Sequence, residues 1–113
     1  MKYKDKYFSI LGDSISTFEG VSVPKNCEFY NLTNKMIAGV TKVSDTWWGG
    51  VIDSLGGKLL VNNSISGSTV CYSPSYEYES YGCSNWRTST LHDGDILPSV
   101  IIVYLGTNDF GMD

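Results

Sequence analysis

Two short apolar runs, each released directly into a glycine and a cluster of polar side chains, constrain this chain more than anything else in it. Tyr7-Phe8-Ser9-Ile10-Leu11 leads into Gly12-Asp13-Ser14-Ile15-Ser16, and Val100-Ile101-Ile102-Val103-Tyr104-Leu105 leads into Gly106-Thr107-Asn108-Asp109. Short, mostly apolar runs of this kind fill a parallel sheet that is covered on both faces. Each polar cluster therefore sits where a buried strand turns out toward solvent. A hydroxyl and an amide delivered from two such strand ends suggest an ester-cleaving site.

The chain between the runs alternates helix and strand. Asp45 or Thr46 can cap a helix whose apolar positions Trp47, Trp48, Val51, Ile52 and Leu55 fall on one face, with Gly56-Gly57 ending it. Because Val51, Ile52 and Leu55 continue that face, the tryptophan pair reads as helix-to-sheet packing rather than as a ligand platform. Leu59 to Ile65 is expected as a second strand, followed by Ser66-Gly67-Ser68-Thr69. A shorter helix is expected from about Ser84 to Leu91, bounded by Gly94 and followed by Pro98 just ahead of the third strand. Strand, helix, strand, helix, strand implies an α/β fold with a parallel sheet and right-handed crossovers. In a doubly wound sheet of this kind the first strand sits between the second and third, order 2-1-3, and ligands bind beyond the carboxyl ends of the strands. Neighbouring strands lie about 4.8 Å apart, so the loops bearing Ser14, Gly67 and Asn108 should emerge side by side as one site.

Composition narrows the classes of function. At 113 residues, 42% hydrophobic and 18% charged, the chain can make one globular domain and is too apolar to be disordered. Its formal charge is -4 and its eight basic residues are scattered, so neither nucleic acid nor an anionic membrane is an expected partner. The loop after the first strand also lacks the Gly-x-Gly or Gly-Lys pattern that cradles phosphates. Met1 to Lys6 is polar and precedes too few apolar residues for a signal-peptide core, and no run approaches the roughly 18 apolar residues of a membrane span. The expectation is a soluble, cytoplasmic protein. Cys27, Cys71 and Cys83 are odd in number and lack C-x-x-C spacing. They are read as thiols rather than as a zinc site or disulfide framework, although Cys71 and Cys83 could pair across their loop. No metal or organic cofactor is implied.

Taken together and in this order, the three motifs resemble those of the SGNH, or GDSL, hydrolases. The matching segments are Gly12-Asp13-Ser14-Ile15-Ser16, the glycine of Asn62-Asn63-Ser64-Ile65-Ser66-Gly67, and Gly106-Thr107-Asn108-Asp109, each after an expected strand. The resemblance covers essentially the whole chain. It implies a flavodoxin-like three-layer α/β/α fold and a serine esterase or acylhydrolase acting on an acyl or acetyl ester. It further implies that Ser14 is the nucleophile that holds the acyl group. The backbone N–H of Ser14, that of Gly67 and the side-chain amide of Asn108 would be the oxyanion-hole donors. Fixed neutral donors suit a developing oxyanion, and glycine lets backbone and substrate approach closely. Asp13 and Asp109 are expected to brace these loops by local hydrogen bonds. Singly, Ser14 reads as a turn or cap serine, Gly67 as a turn glycine and Asn108 as a loop residue at positive φ; only their conjunction carries the functional reading.

The chain also departs from the family pattern. Members carry a further Asp-x-x-His motif near the carboxyl terminus, whose histidine activates the serine, and nothing after Asn108 matches it. The one histidine, His92, precedes the third strand, roughly 20 Å of strand from Asn108, well outside the hydrogen-bond reach a base needs. It reads as a solvent-facing residue in the last turn of a helix. Three strands are also fewer than the five or six of an average sheet, leaving the third strand as an open edge. The expectation is that residues 1–113 form the amino-terminal part of a hydrolase domain, nearly inert alone, whose third strand could take a complementing fragment or a second copy.

Two long connections remain. Glu19 to Ser44, 26 residues, is long enough to mark a lid or binding loop. Tyr72 to Trp86 carries Tyr72, Tyr76, Tyr78, Tyr81 and Trp86, rings that can stack on an acylated carbohydrate or equally pack on the missing half. The alternative to an esterase is a non-catalytic flavodoxin-like module holding a ligand or partner in the same crevice or on the open strand. Asn62, Asn63 and the tyrosines would then supply contacts.

Overall fold

The computed structural model describes residues 2–72 and 81–110. Strands β1 (Tyr7–Gly12), β2 (Lys58–Ser64) and β3 (Val100–Tyr104) form a parallel sheet in the order β2-β1-β3, as the sequence suggests. Helix α1 (Leu32–Ala38) lies in the first long connection, α2 (Trp47–Ser54) and α3 (Asn85–Thr88) form the two crossovers, and α4 (Thr107–Phe110) follows β3. No described helix is long and apolar enough to cross a membrane.

Side chains alternate between the two faces of the sheet, and each face meets a different layer. Phe8 and Ile10 of β1 pack with Phe18, Trp48 and Ile52 in the buried core under α2, with Leu59, Val100 and Ile102 joining from the flanking strands. On the other face Ser9 donates to the carbonyl of Leu91 at 2.7 Å, drawing the segment after α3 onto β1.

Thr46, not Asp45, caps α2: its Oγ1 accepts from the Gly49 N–H at 2.9 Å. Asp45 instead ends a preceding 3₁₀ turn and accepts from the N–H and hydroxyl of Thr41. The inward face is narrower than the five-residue stripe suggests. Trp48 and Ile52 are buried, while Val51 is 37% exposed and Trp47 half-buried. At 100° per residue, positions 47 and 51 lie toward one margin of the stripe and 48 and 52 toward the other, so the buried face is displaced to one side of the apolar one.

Helix α3 is shorter than the expected Ser84–Leu91. Ser84 caps it through the Arg87 N–H at 3.3 Å, and its end is taken by Thr90, whose hydroxyl donates to the Arg87 carbonyl at 3.0 Å. A side-chain donor of this kind competes with the backbone for the helix's last carbonyls. His92 is consequently outside any helix, exposed in a turn with Nδ1 2.9 Å from the Gly94 carbonyl, which corrects its placement in a last helical turn. Helix α1 is an addition to the expected elements, although its start and stop signals are in the sequence: Asn31 Oδ1 accepts from the N–H groups of Thr33 and Asn34, and Gly39 ends it. None of its residues is buried. Cys71 and Cys83 are exposed thiols and are not joined.

Candidate active site

The first motif leaves β1 through a glycine because nothing larger fits. A Cβ at Gly12 would stand 2.5 Å from Ser16 Oγ and 2.6 Å from Ser16 Cβ. Beyond it, fully buried Asp13 caps a single 3₁₀ turn, Ser14–Ser16, its Oδ1 accepting from the Ile15 N–H at 3.0 Å. The turn is pinned from three sides. Thr17 donates its hydroxyl to the Ser14 carbonyl at 2.7 Å, Trp47 Nε1 donates to Ser16 Oγ at 3.0 Å, and Asn62 Nδ2 donates to the Ser16 carbonyl at 2.9 Å. Trp47 thus has a polar task as well as a packing one, and its ring lies 5.1 Å from that of Tyr104. Ser14 itself is half-buried, and among the described residues nothing hydrogen-bonds its hydroxyl.

The second and third motifs are tied to each other. Ile65 donates its N–H to the Gly12 carbonyl at 3.2 Å, carrying the chain from β2 beside the first motif. It then turns through Gly67, at φ +86, a conformation costly for any residue with a side chain. From α4, Asn108 Nδ2 donates to the carbonyl of Ser68 at 2.8 Å. Asn108 is helical and half-buried, not a loop residue at positive φ. Asp109 accepts from the N–H groups of Val70 at 2.8 Å and Cys71 at 2.8 Å. Its bonds are therefore not local, as expected from sequence, but cross between the loops of β2 and β3. Asp13 does bond locally.

Sequence reasoning missed Arg87, the fully buried cation behind these loops. Its Nε donates to Asn63 Oδ1 at 2.5 Å, one terminal nitrogen to Ser68 Oγ at 2.8 Å, and the other to the carbonyls of Gly12 at 3.0 Å and Asn63 at 3.2 Å. One planar guanidinium thus gathers the end of β1, the end of β2 and the Gly67 loop, a fan of contacts its five N–H donors allow. Burial pushes its pKa down to about 10, against opposing contributions from Cys27 and Cys83, so it stays charged at neutral pH. The available signal was an arginine three residues after a capping serine, in a segment otherwise short of charge.

The two aspartates pull stability in opposite directions with pH. Burial pushes the Asp109 carboxyl up, but the N–H groups of Cys71 and Val70 together outweigh it and hold the pKa below its ordinary value. Its contribution is present above the unfolded pKa, about 3.9, and is lost as pH falls through the depressed folded value. For Asp13, burial dominates and raises the pKa, the Ile15 N–H only partly offsetting it. Its contribution is present below the unfolded pKa and is lost as pH rises through the raised folded value. Urea midpoints measured between about pH 3 and 7 should therefore show a shallower acid loss in Asp109→Asn and a steeper one in Asp13→Asn. Equal acid slopes in both variants and the wild type would refute this assignment.

His92 lies in the turn before β3, at the opposite end of the strand from Asn108. Of the aromatic connection, Tyr72 and Tyr81 meet edge to face at 5.8 Å and Trp86 is 42% exposed, while Tyr76 and Tyr78 lie outside the described residues. Among the described residues no group of three or more His, Cys, Asp or Glu could hold a metal ion.

Comparison with known proteins agrees with this architecture. A structure of a GDSL-like lipase from Bacteroides ovatus matches with a TM-score of 0.77 and 34% identity, covering 94% of this chain and 50% of that one. A second, from Bacteroides uniformis, matches with a TM-score of 0.73 and 40% identity, covering 93% of this chain and 49% of that one. The chain thus spans about half the length of the solved relatives it matches. No curated protein matches it. The profile described as GDSL-like Lipase/Acylhydrolase matches residues 6–113, nearly the whole length, and the chain belongs to that family.

Proposed function

We propose that this chain supplies the nucleophile and the oxyanion donors of a serine ester hydrolase. Ser14 Oγ would attack the carbonyl carbon of an acyl ester, passing its proton to a base while the alcohol leaves. Water would then release the acid and restore the serine. The Ser14 and Gly67 N–H groups and the Asn108 amide would receive the negative charge that develops on the carbonyl oxygen. The observation that carries this reading is the fastening of Asn108 to Ser68, immediately beside Gly67, at 2.8 Å. An amide nitrogen has two hydrogens, so this bond orients the group and leaves the second for substrate.

The base is the weak link. His92 is the one histidine in the sequence, and it lies at the far end of β3. Without a positioned base a serine loses about 10²- to 10⁴-fold in rate, so the 113-residue chain should turn over an activated acetate ester slowly. Ser14→Ala should remove that residual rate and His92→Ala should leave it intact. A fluorophosphonate probe should label Ser14, faster when a polypeptide carrying the remaining half of the family domain is added. Turnover at an ordinary enzyme rate that Ser14→Ala abolishes would show that the chain holds a base of its own. Absence of labelling under both conditions would overturn the esterase reading in favour of a non-catalytic ligand-binding module.

A further inference from the structure

The three motifs are fastened to one another by different means. The first is held to the second by the Ile65 N–H on the Gly12 carbonyl at 3.2 Å and by Asn62 Nδ2 on the Ser16 carbonyl at 2.9 Å. The second is held to the third by Asn108 Nδ2 on the Ser68 carbonyl at 2.8 Å. Between the first and the third, the register of β1 and β3 ends where Gly12 lies opposite Tyr104. That point falls short of both Ser14 and Asn108, so the sheet alone does not set the spacing of the two side chains.

Trp47 spans that gap from a third direction. It is the first residue of α2, directly after the capping Thr46, so its backbone is fixed by the start of a helix that packs on the sheet. Its indole N–H donates to Ser16 Oγ at 3.0 Å, and its ring lies 5.1 Å from the Tyr104 ring with the planes 33° apart. Ser16 is fully buried and its Cβ closes against Gly12, so the hydroxyl that receives the indole has little room to move. Tryptophan combines a broad ring face with one edge donor, and a single side chain can therefore hold both neighbours.

We infer that Trp47 is a positioning residue of the nucleophile: its indole is a strut that sets the Ser14 turn against the end of β3, and so fixes where Ser14 stands relative to Asn108. It touches neither of them and acts through Ser16 on one side and Tyr104 on the other. An attacking hydroxyl and an oxyanion donor must meet one carbonyl group together, and a misplacement of about 1 Å can cost about 100-fold in rate. In its bearing on reactivity the inference rests on the esterase reading of Ser14; the strut itself does not.

The test compares the 113-residue chain with its Trp47→Phe, Ser16→Ala and doubly substituted forms. Phenylalanine keeps a ring against Tyr104 and removes the N–H, so the melting temperature should stay within about 5 °C. The limiting rate at which a fluorophosphonate labels Ser14 should fall about 10- to 100-fold, while the probe concentration giving half that rate should change by less than about twofold. Ser16→Ala should do the same, and the double variant should be no slower than either alone. An unchanged limiting rate, a loss confined to the half-rate concentration, or losses that multiply in the double variant overturns the assignment. A second measurement does not depend on reactivity. Tyr104→Leu, made in β3, should shift the amide NMR resonances of Ser14 to Ser16, and should no longer do so in a Trp47→Ala background. Resonances that stay in place, or that move as far without Trp47, overturn the strut whatever the labelling. Resonances that move as expected in a chain whose Ser14 takes no label support the strut and count against the esterase reading instead.

Discussion

Arg87→Met should cost this protein more than any surface substitution, lowering its stability by about 3 to 5 kcal/mol. Methionine fills much of the same space but donates nothing. The carbonyl of Asn63, its side-chain oxygen and the Ser68 hydroxyl would each lose a donor inside the protein, and the Gly12 carbonyl would be left with the Ile65 N–H. Each buried acceptor left unmet costs about 1 to 3 kcal/mol, tempered by the relaxation of its neighbours. Domains of this size hold only about 5 to 15 kcal/mol in total, and 1 kcal/mol corresponds to about 4 to 8 °C of melting temperature. A thermal melt should therefore drop by about 15 °C or more, or show no cooperative transition. Arg87→Lys keeps the charge but cannot reach both strand ends and Ser68 at once, and should fall between. A methionine variant that melts within a few degrees of the wild type would show that the gathered loops hold together without the cation.

Gly12→Ala should be nearly as damaging, by overcrowding rather than by loss. The added carbon would meet Ser16 Cβ at 2.6 Å and Ser16 Oγ at 2.5 Å, with Ser64 Oγ at 3.1 Å. Rotating Ser16 relieves the hydroxyl but not its Cβ, so the turn carrying Ser14 must shift. That turn is held by Trp47 and Asn62, and shifting it breaks one or both bonds. Overpacking of this kind costs about 1 to 3 kcal/mol. The melt should fall by about 5 to 15 °C, and hydrogen exchange at residues 14–17 should accelerate. Gly50→Ala is the internal control: a Cβ there would have open space for 4 Å around it, and the residue sits within α2, so it should stabilise by about 0.5 to 1 kcal/mol. If both alanines behave alike, the close approach at Gly12 is not what selects glycine.

The sheet and its order were legible because their signal is local and strong. Short, mostly apolar runs mark β1 and β3, and the turn residues after them give the switch-point geometry. The helices were less so, because their limits are set by single hydrogen bonds. Thr90 shortens α3 through one hydroxyl, and Asn31 starts α1 in a connection whose exposed apolar residues carry no clear stripe. In the candidate site, the sequence motifs named Ser14, Gly67 and Asn108. Asp109 was expected as a brace but its partners were not, and Arg87 was not named at all, for a common reason. Arg87 and Asp109 act over 75 and 39 residues of sequence separation, respectively, and no spacing rule reports a contact that only the closed sheet creates.

The connection carrying α1 meets the nucleophile turn chiefly through one oxygen, Thr17 Oγ1, which accepts from the N–H groups of Phe29 at 2.9 Å and Tyr30 at 3.3 Å. None of the seven residues of α1 is buried, and its Lys35 reaches back to Glu19 at 3.4 Å across the surface. The turn holding Ser14 draws its rigidity from Trp47 and Asn62 instead. Helix α1 is thus an appendage that evolution can rewrite, in length or in chemistry, without disturbing the bonds that fix the serine's turn.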